Sequence, residues 1–330
     1  MLLVFCVHAA GNAASVGWGV DFGGASFASL DSSAQRILFW LYRSHHGVFL
    51  FFVLSGFLIA RMWLADPRPT YARFAWRRTL RIYPAFLLAF AASLVFAYAS
   101  GTWMPPDWPR VIGNLLFLNG APGSGVAPFN IVTWSLFYEM TFYLAFPLLV
   151  LSLRNRVAIA AVGVVVPVLA HAAGADALVL CWSLLFAGVA LAFAGDAFPR
   201  VPAVAAIAAY LAITTLAAFD ALPGAVAILA FGAAAAAIVS QCVRGSNAVA
   251  RLFEWRPLRA LGRVSYSFYL VHWMIVVLVA RAAEGMHPAL ATAIVFAGGF
   301  ALSSAAATAS WWIAERPYFA WARAAAERGP

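Results

Sequence analysis

HHGVFLFFVLSGFLIARMWLADPRPTYARFAWRRTLRIYP, residues 45–84, decides how this chain must be read. From Gly47 to Leu64 the only polar groups are the hydroxyl of Ser55 and, near the end, Arg61. About 18 such residues make a helix of about 27 Å, enough to cross the hydrocarbon core of a bilayer. A loop with Pro67 and Pro69 follows, and Arg73, Arg77, Arg78 and Arg81 then lead up to Tyr83-Pro84, where the next apolar helix is expected. Arginines in that position keep a loop on one side of a membrane. They also make a place to bind phosphates, because a guanidinium grips phosphate oxygens and stays charged. The two readings are compatible.

Composition supports a membrane class. Hydrophobic residues are 65% of the 330 positions and charged residues 10%, too few to wet the surface of a soluble domain. All 21 basic residues are arginine, and they sit in short connections between apolar segments, which argues against nucleic-acid binding despite the +9 charge. Cys6, Cys181 and Cys242 lie in apolar runs without metal or disulfide spacing and read as packing residues. No metal site is expected.

Further spans are expected at about residues 82–100, 131–152, 156–172, 177–195, 202–219, 222–243, 264–283 and 289–313, after the one at 46–64. The opening MLLVFCVHAAG is too short to span. It lacks the basic start of a cleaved leader, and His8 interrupts its apolar run, so a first membrane helix whose beginning precedes Met1 is the preferred reading. The expectation is an all-α polytopic membrane protein of about ten helices, one domain over residues 1–330, with no appended soluble domain. Residues 12–45, with room for a short interfacial helix, and 101–130 read as the two long connections on the side opposite the arginines. Seventeen arginines fall in alternate connections and the tail, against Arg36, Arg43, Arg110 and Arg281 in the others. That asymmetry puts both termini in the cytoplasm. The middle, 156–243, reads as an Ala/Val/Leu scaffold whose Gly163, Gly188 and Gly232 let helices approach closely, and as a wall of a cavity at most.

Chemistry is expected where ionisable groups lie at membrane depth. His8, Glu139 and His272 are such groups. Ser135, Tyr138, Glu139 and Phe142 share one helix face, and Ser265, Tyr269 and His272 another, so the two stripes should face each other or a wet cavity. A structural role remains open for each: Glu139 as partner of a buried arginine or tyrosine, His272 and His8 as hydrogen-bonded core histidines. The pair His45-His46 reads as interfacial, and His171 as a helix-end group.

These residues carry a resemblance. FCVHA around His8, GVFLFFVLSGFLI at 47–59, RRTLRIYPAF at 77–86, NLLFLNG at 114–120, TWSLFYEMTFYLAFP at 133–147, LGRVSYSFYLVHW at 261–273 and ERP at 315–317 occur in order along nearly the whole chain. Together they resemble the membrane acyltransferase-3 family, multi-pass O-acyltransferases of surface polysaccharides and related acceptors. The sequence departs from that pattern at Phe49, where the family commonly has an acid, and in lacking the arginine usual before the first-helix histidine.

The resemblance implies acyl transfer, with acetyl the expected group, from cytoplasmic acyl-CoA to a hydroxyl of an envelope or exported glycan, in a bacterial inner membrane. Arg73, Arg77, Arg78 and Arg81 would hold the donor's phosphates. His8 would be the base, Glu139 would orient the base or a neighbouring arginine, and Tyr138 or Ser135 would donate to the oxyanion. An acyl-histidine intermediate is the other route. His45, His46, Ser55, Tyr269 and His272 would contact substrate or support the site. The rival class is a proton-coupled transporter or flippase of a glycan, since intramembrane His and Glu also build proton relays. Neither an inverted repeat nor a matched pair of broken helices is visible to favour it. An envelope sensor or assembly protein, the third class, would not need the arginine run.

Overall fold

Each long apolar run folds as a helix, because lipid offers no hydrogen-bond partner to an open backbone. The computed structural model describes residues 1–245 and 248–327, and among these there is no strand. The α-helices are α1 (Leu2–Trp18), α2 (Ser33–Arg43), α3 (Gly47–Ala65), α4 (Tyr71–Ala99), α5 (Trp108–Leu115), α6 (Trp134–Leu153), α7 (Arg156–Ala172) and α8 (Leu180–Ala194). They continue with α9 (Ala203–Ala218), α10 (Gly224–Arg244), α11 (Ala248–Glu254), α12 (Arg256–Arg263), α13 (Ser265–Ala282), α14 (Pro288–Ala293), α15 (Gly299–Ser310) and α16 (Arg316–Glu327). Two π-helical turns, Ile294–Gly298 and Trp311–Glu315, join the last three into one long rod. Among the described residues seven helical segments are long and apolar enough to cross a membrane, and α1, α7 and α9 are shorter apolar helices. The chain is a polytopic membrane protein, and these segments account for the ten expected spans.

Three expectations about connections are corrected. The arginine stretch is helix, not loop. Thr70 caps α4 by accepting from the Arg73 N–H, and nothing between it and Pro84 breaks a helix. The 29 residues of α4 make a rod of about 43 Å, longer than a bilayer core of ~30 Å, so its first three turns can carry the arginines past the apolar layer. In the second case, α1 runs on to Trp18 and α2 returns antiparallel to it, with Gly11 against Tyr42, so only residues 19–32 form a connection. The third, residues 101–130, is not a solvated loop. Phe117 and Phe129 are buried, Tyr83 donates to the Leu115 carbonyl (3.2 Å), and Asn130 donates to the Leu270 carbonyl (2.7 Å). Arg110 fastens the segment by donating to the carbonyls of Thr102, Ala127 and Pro128 at 3.0–3.2 Å.

The arginine-bearing ends gather together. Arg154 and Arg156 line one cleft with Trp63 and Asp66, and Arg244 donates to the Phe198 carbonyl (2.6 Å). The four arginines counted on the other side are all engaged: Arg36 with the Leu30 carbonyl, Arg43 with Asp220, Arg110 as above, and Arg281 over Phe96. Arg328, counted with the tail, lies outside the described residues.

The core forms around α3, which packs on α8 and α10, while α1 lies between α2, α13 and α14. The α3–α8 contact depends on two glycines. A Cβ on Gly56 would sit 1.8 Å from the Leu185 carbonyl oxygen, and one on Gly188 would sit 2.0 Å from that of Val53. In an ordinary helix, replacing Gly by Ala gains up to ~1 kcal/mol. Here the sign reverses, because backbone rather than a flexible side chain must yield. Gly188→Ala is expected to lower stability by about 1–3 kcal/mol. Gly262→Ala in α12, where nothing lies within 4 Å, is expected to be neutral or better. Thermal unfolding of both variants in one detergent checks the contrast.

Candidate active site

A cavity of about 460 Å³ opens between the start of α1, the α2–α3 corner, the segment before α6, the α9–α10 turn and α13. That is the size of a small-molecule site. His8, His45, His46 and Tyr269 line it, as do Phe49, Trp134, Arg43 and Asp220. Phe49, at the position where an acid was expected, packs on His46 and Phe231 (5.6 and 5.9 Å between ring centroids). The carboxylate among the lining residues is that of Asp220, ion-paired with Arg43. The 156–243 region thus supplies a cavity wall, as its composition suggested, together with one charged group that composition did not reveal. Of the pair His45-His46, His45 is exposed and His46 is not. His46 is buried and stacked on Phe231 at 4.0 Å, and Tyr210 donates to its carbonyl. His171 holds the end of α7, its Nδ1 2.9 Å from the Ala175 carbonyl.

His8 projects from α1 toward α13, and its ring centroid is 5.3 Å from that of His272. His272 is 1% exposed and does not line the cavity. Its Nδ1 faces the carbonyls of Tyr269 (2.8 Å) and Phe268 (3.1 Å). Carbonyls only accept, so Nδ1 carries the proton and Nε2 the lone pair. That Nε2 is buried without a partner among the described residues.

The Ser135 and Tyr269 stripes do face each other. Tyr269 donates to the Val132 carbonyl (2.5 Å), so its oxygen accepts from Ser135 (2.9 Å), since a phenol has one proton to give. Ser135 therefore spends its own proton there. Tyr138 is buried among Phe52, Trp134, Phe137 and Trp182, and its hydroxyl has no partner. Neither Ser135 nor Tyr138 lines the cavity.

Glu139 belongs to a separate polar cluster. Its carboxylate accepts from Tyr143 (2.7 Å), and Ser55 lies 3.2 Å from the same phenol oxygen. No contact joins Glu139 to His8, so the structure does not bring the expected base and its expected orienting group together. Arg78 stands beside this cluster, 5.9 Å from the Tyr143 ring centroid.

The four arginines of α4 divide by partner. Arg81 is bound to Glu315 (2.6 Å), whose side chain is fully buried, and whose other oxygen accepts from the N–H and hydroxyl of Ser267. Arg78 reaches the Met62 sulfur, and Arg73 lies 3.9 Å from Asp66. Arg77 is exposed and makes no ion pair or hydrogen bond among the described residues. Arg73, Arg77, Arg78 and Thr70 line one small cleft. Among the described residues no group of three His, Cys, Asp or Glu side chains is placed to hold a metal ion.

The chain matches the acyltransferase domain profile of the acyltransferase-3 family over residues 1–311. It belongs to the acyltransferase-3 family. It is also similar to the acyltransferase MdmB of Streptomyces mycarofaciens, 36% identical over 107 residues. That stretch covers 31% of this chain and 27% of the relative, so the match spans about a quarter of that protein's length. No solved structure matches the chain. Within this acyltransferase fold, segments read separately in the sequence meet at one point: RRTLRIYP gives Arg81, SYSFYLVHW gives Ser267, and ERP gives Glu315.

Sequence reasoning missed Arg43, Asp220, Tyr143 and Glu315 as members of these sites. Tyr143 was visible as the i+4 neighbour of Glu139. Arg43 stands two residues before His45. Asp220 carried no signal.

The Arg81–Glu315 pair is expected to hold the fold rather than a ligand. Breaking a buried pair from one side costs about 3–5 kcal/mol. Glu315→Gln should therefore lower the unfolding temperature strongly, while Arg77→Gln should not change it. Unfolding curves of the two purified variants decide the matter.

Proposed function

We propose that the chain transfers an acyl group, acetyl being the expected one, from acyl-CoA to a hydroxyl of an envelope or exported glycan. The donor approaches from the arginine-rich, cytoplasmic ends, and the acceptor hydroxyl occupies the 460 Å³ cavity. The observation that carries this reading is His8: a titratable side chain that lines a cavity of ligand size at membrane depth, in a chain of the acyltransferase-3 family. A hydroxyl is a poor nucleophile until a base takes its proton, and histidine suits that work near neutrality.

The arginine cleft supports the donor side. Arg77 makes no ion pair or hydrogen bond among the described residues, Arg78 is held by a sulfur and two ring contacts, and Arg73 by a long ion pair and the Arg68 carbonyl, so all three can turn to phosphates. Arg81 is committed to Glu315 and is assigned to structure. His45, His46 and Tyr269, which line the cavity, are assigned to acceptor contacts. Glu139, with Tyr143 and Ser55, is assigned a supporting role close to Arg78. The positive-inside asymmetry supports a bacterial inner-membrane setting with both termini in the cytoplasm.

Purified protein given radiolabelled acetyl-CoA and a panel of glycan acceptors tests the reading. His8→Ala should insert and fold normally while losing transfer by a factor of ~10²–10⁴. Wild-type-like transfer by that variant sinks the assignment. The paired change Arg77→Gln with Arg78→Gln should raise KM for acetyl-CoA far more than KM for the acceptor. An unchanged donor KM makes these arginines topological only.

A further inference from the structure

The reading of His8 as base leaves one question that the structure answers: which of its two ring nitrogens is free to take a proton. We propose that His272 is a positioning residue, whose Nε2 accepts the ring N–H of His8 and so holds the other His8 nitrogen unprotonated toward the cavity. This rests on the reading of His8 above, and it assigns a role to a residue that does not itself touch substrate.

The argument has three parts. First, the His272 tautomer is fixed by its own backbone. Its Nδ1 meets two carbonyl oxygens at 2.8 and 3.1 Å, and a carbonyl can only accept. The lone pair is therefore on Nε2, which is buried and has no partner. Second, a buried acceptor without a donor is costly, so this atom calls for one. Third, His8 stands at the right distance. Two imidazoles joined edge to edge by a nitrogen–nitrogen hydrogen bond of ~3 Å have their centroids about 5 Å apart. The observed separation is 5.3 Å, with the rings tilted by 50°. A turn of the His8 ring, which is half-buried and borders the cavity, closes the bond. His272 cannot turn so freely, being stacked on Phe268 and tied at Nδ1.

The arrangement gives His8 what a general base needs, a third group that orients it. The acceptor's hydroxyl proton passes to the cavity-facing nitrogen of His8 as the oxygen–acyl bond forms. The acyl carbon–sulfur bond of the donor breaks, and the same proton leaves on the thiolate. His272 keeps its proton on Nδ1 throughout, and its lone pair steadies the transient His8 imidazolium. No further reactant is needed.

The test uses the whole chain in lipid nanodiscs with nitrogen-15 labelled histidine. Loss of signals in His8→Ala assigns His8. The wild type should show His8 in a single neutral tautomer, with a nitrogen–nitrogen coupling across its bond to His272. In His272→Leu the coupling should vanish and the His8 tautomers should mix. A wild type without coupling, or a His8 tautomer unchanged by His272→Leu, overturns the proposal. Transfer from acetyl-CoA supplies the second readout. His272→Leu should lower kcat about 10²-fold at unchanged acceptor KM, and His272→Gln, whose amide oxygen can accept from His8, should recover at least ~10-fold of that. Leu performing as well as Gln means that His272 only fills space, and the proposal falls. If the Leu variant does not fold, the wild-type coupling and the Gln variant still decide. A wild-type rate from His8→Ala removes the base reading instead, while the tautomer measurement stands apart from it.

Discussion

A carboxylate placed where water cannot reach must be paid for by its neighbours, and Glu315 is that carboxylate here. Its side chain is fully buried, yet both oxygens are satisfied, one by Arg81 and the other by Ser267. Arg81 belongs to α4 and Ser267 to α13, while Glu315 closes the π-helical turn between α15 and α16. Three helices far apart in sequence are thus fixed to one point. A π turn changes the direction in which following side chains leave the axis, and such turns cluster where a helix must present one group accurately. Arg81 is also flanked by the rings of Tyr266 and Phe319, which limit where its guanidinium can go.

That clamp bears on the chemistry through α13. Ser267 is gripped at its own backbone N–H, two residues before Tyr269 and five before His272. Tyr266 donates to the Ile82 carbonyl, so α13 is also held to α4 at the residue after Arg81. One turn on, Tyr269 is bound to Val132 and Ser135 at the start of α6, and Asn130 is bound to the Leu270 carbonyl. The floor of the cavity is therefore set by backbone and buried hydroxyls rather than by long flexible side chains. His8 meets that floor from α1, which packs along α13 through Phe5 and Phe268.

Most of the helices could be read from the sequence, because long apolar runs have one stable form in lipid. In the sequence the arginine run reads as leading up to a helix at Tyr83-Pro84, yet in the fold it is the first part of α4. Arginine is a good helix former, and Thr70 rather than Pro84 marks the boundary. Residues 101–130 read as a connection and are one, but a packed one that holds α5. Their prolines and glycines are real turns, but Phe117, Phe129, Asn114 and Asn130 are buried, and sequence spacing does not show that a connection sinks between α4 and α13. At the site, buried ionisable residues were legible one by one, while their partners were not. The resemblance implies Glu139 as orienting group for His8 or for a neighbouring arginine. In the fold Glu139 and His8 face different neighbours, since depth fixes a residue's height along a helix but not the side from which it is met.

The hydroxyl chemistry has a direction that explains where proton-accepting capacity remains. Each hydroxyl has one proton to give. Ser310 gives to Ser267, which gives to Glu315. Ser55 gives to Tyr143, which gives to Glu139. Ser135 gives to Tyr269, which gives to the Val132 carbonyl. All three relays end on an oxygen that only accepts, and none of those hydroxyls has a proton left for a ligand. Beside the cavity the account differs: His272 Nε2 is an acceptor with no donor, and His8 is next to it. These six hydroxyls are therefore occupied in holding helices together. On the proposed reading, proton exchange with a ligand falls to His8, where α1 meets α13, with His272 orienting it.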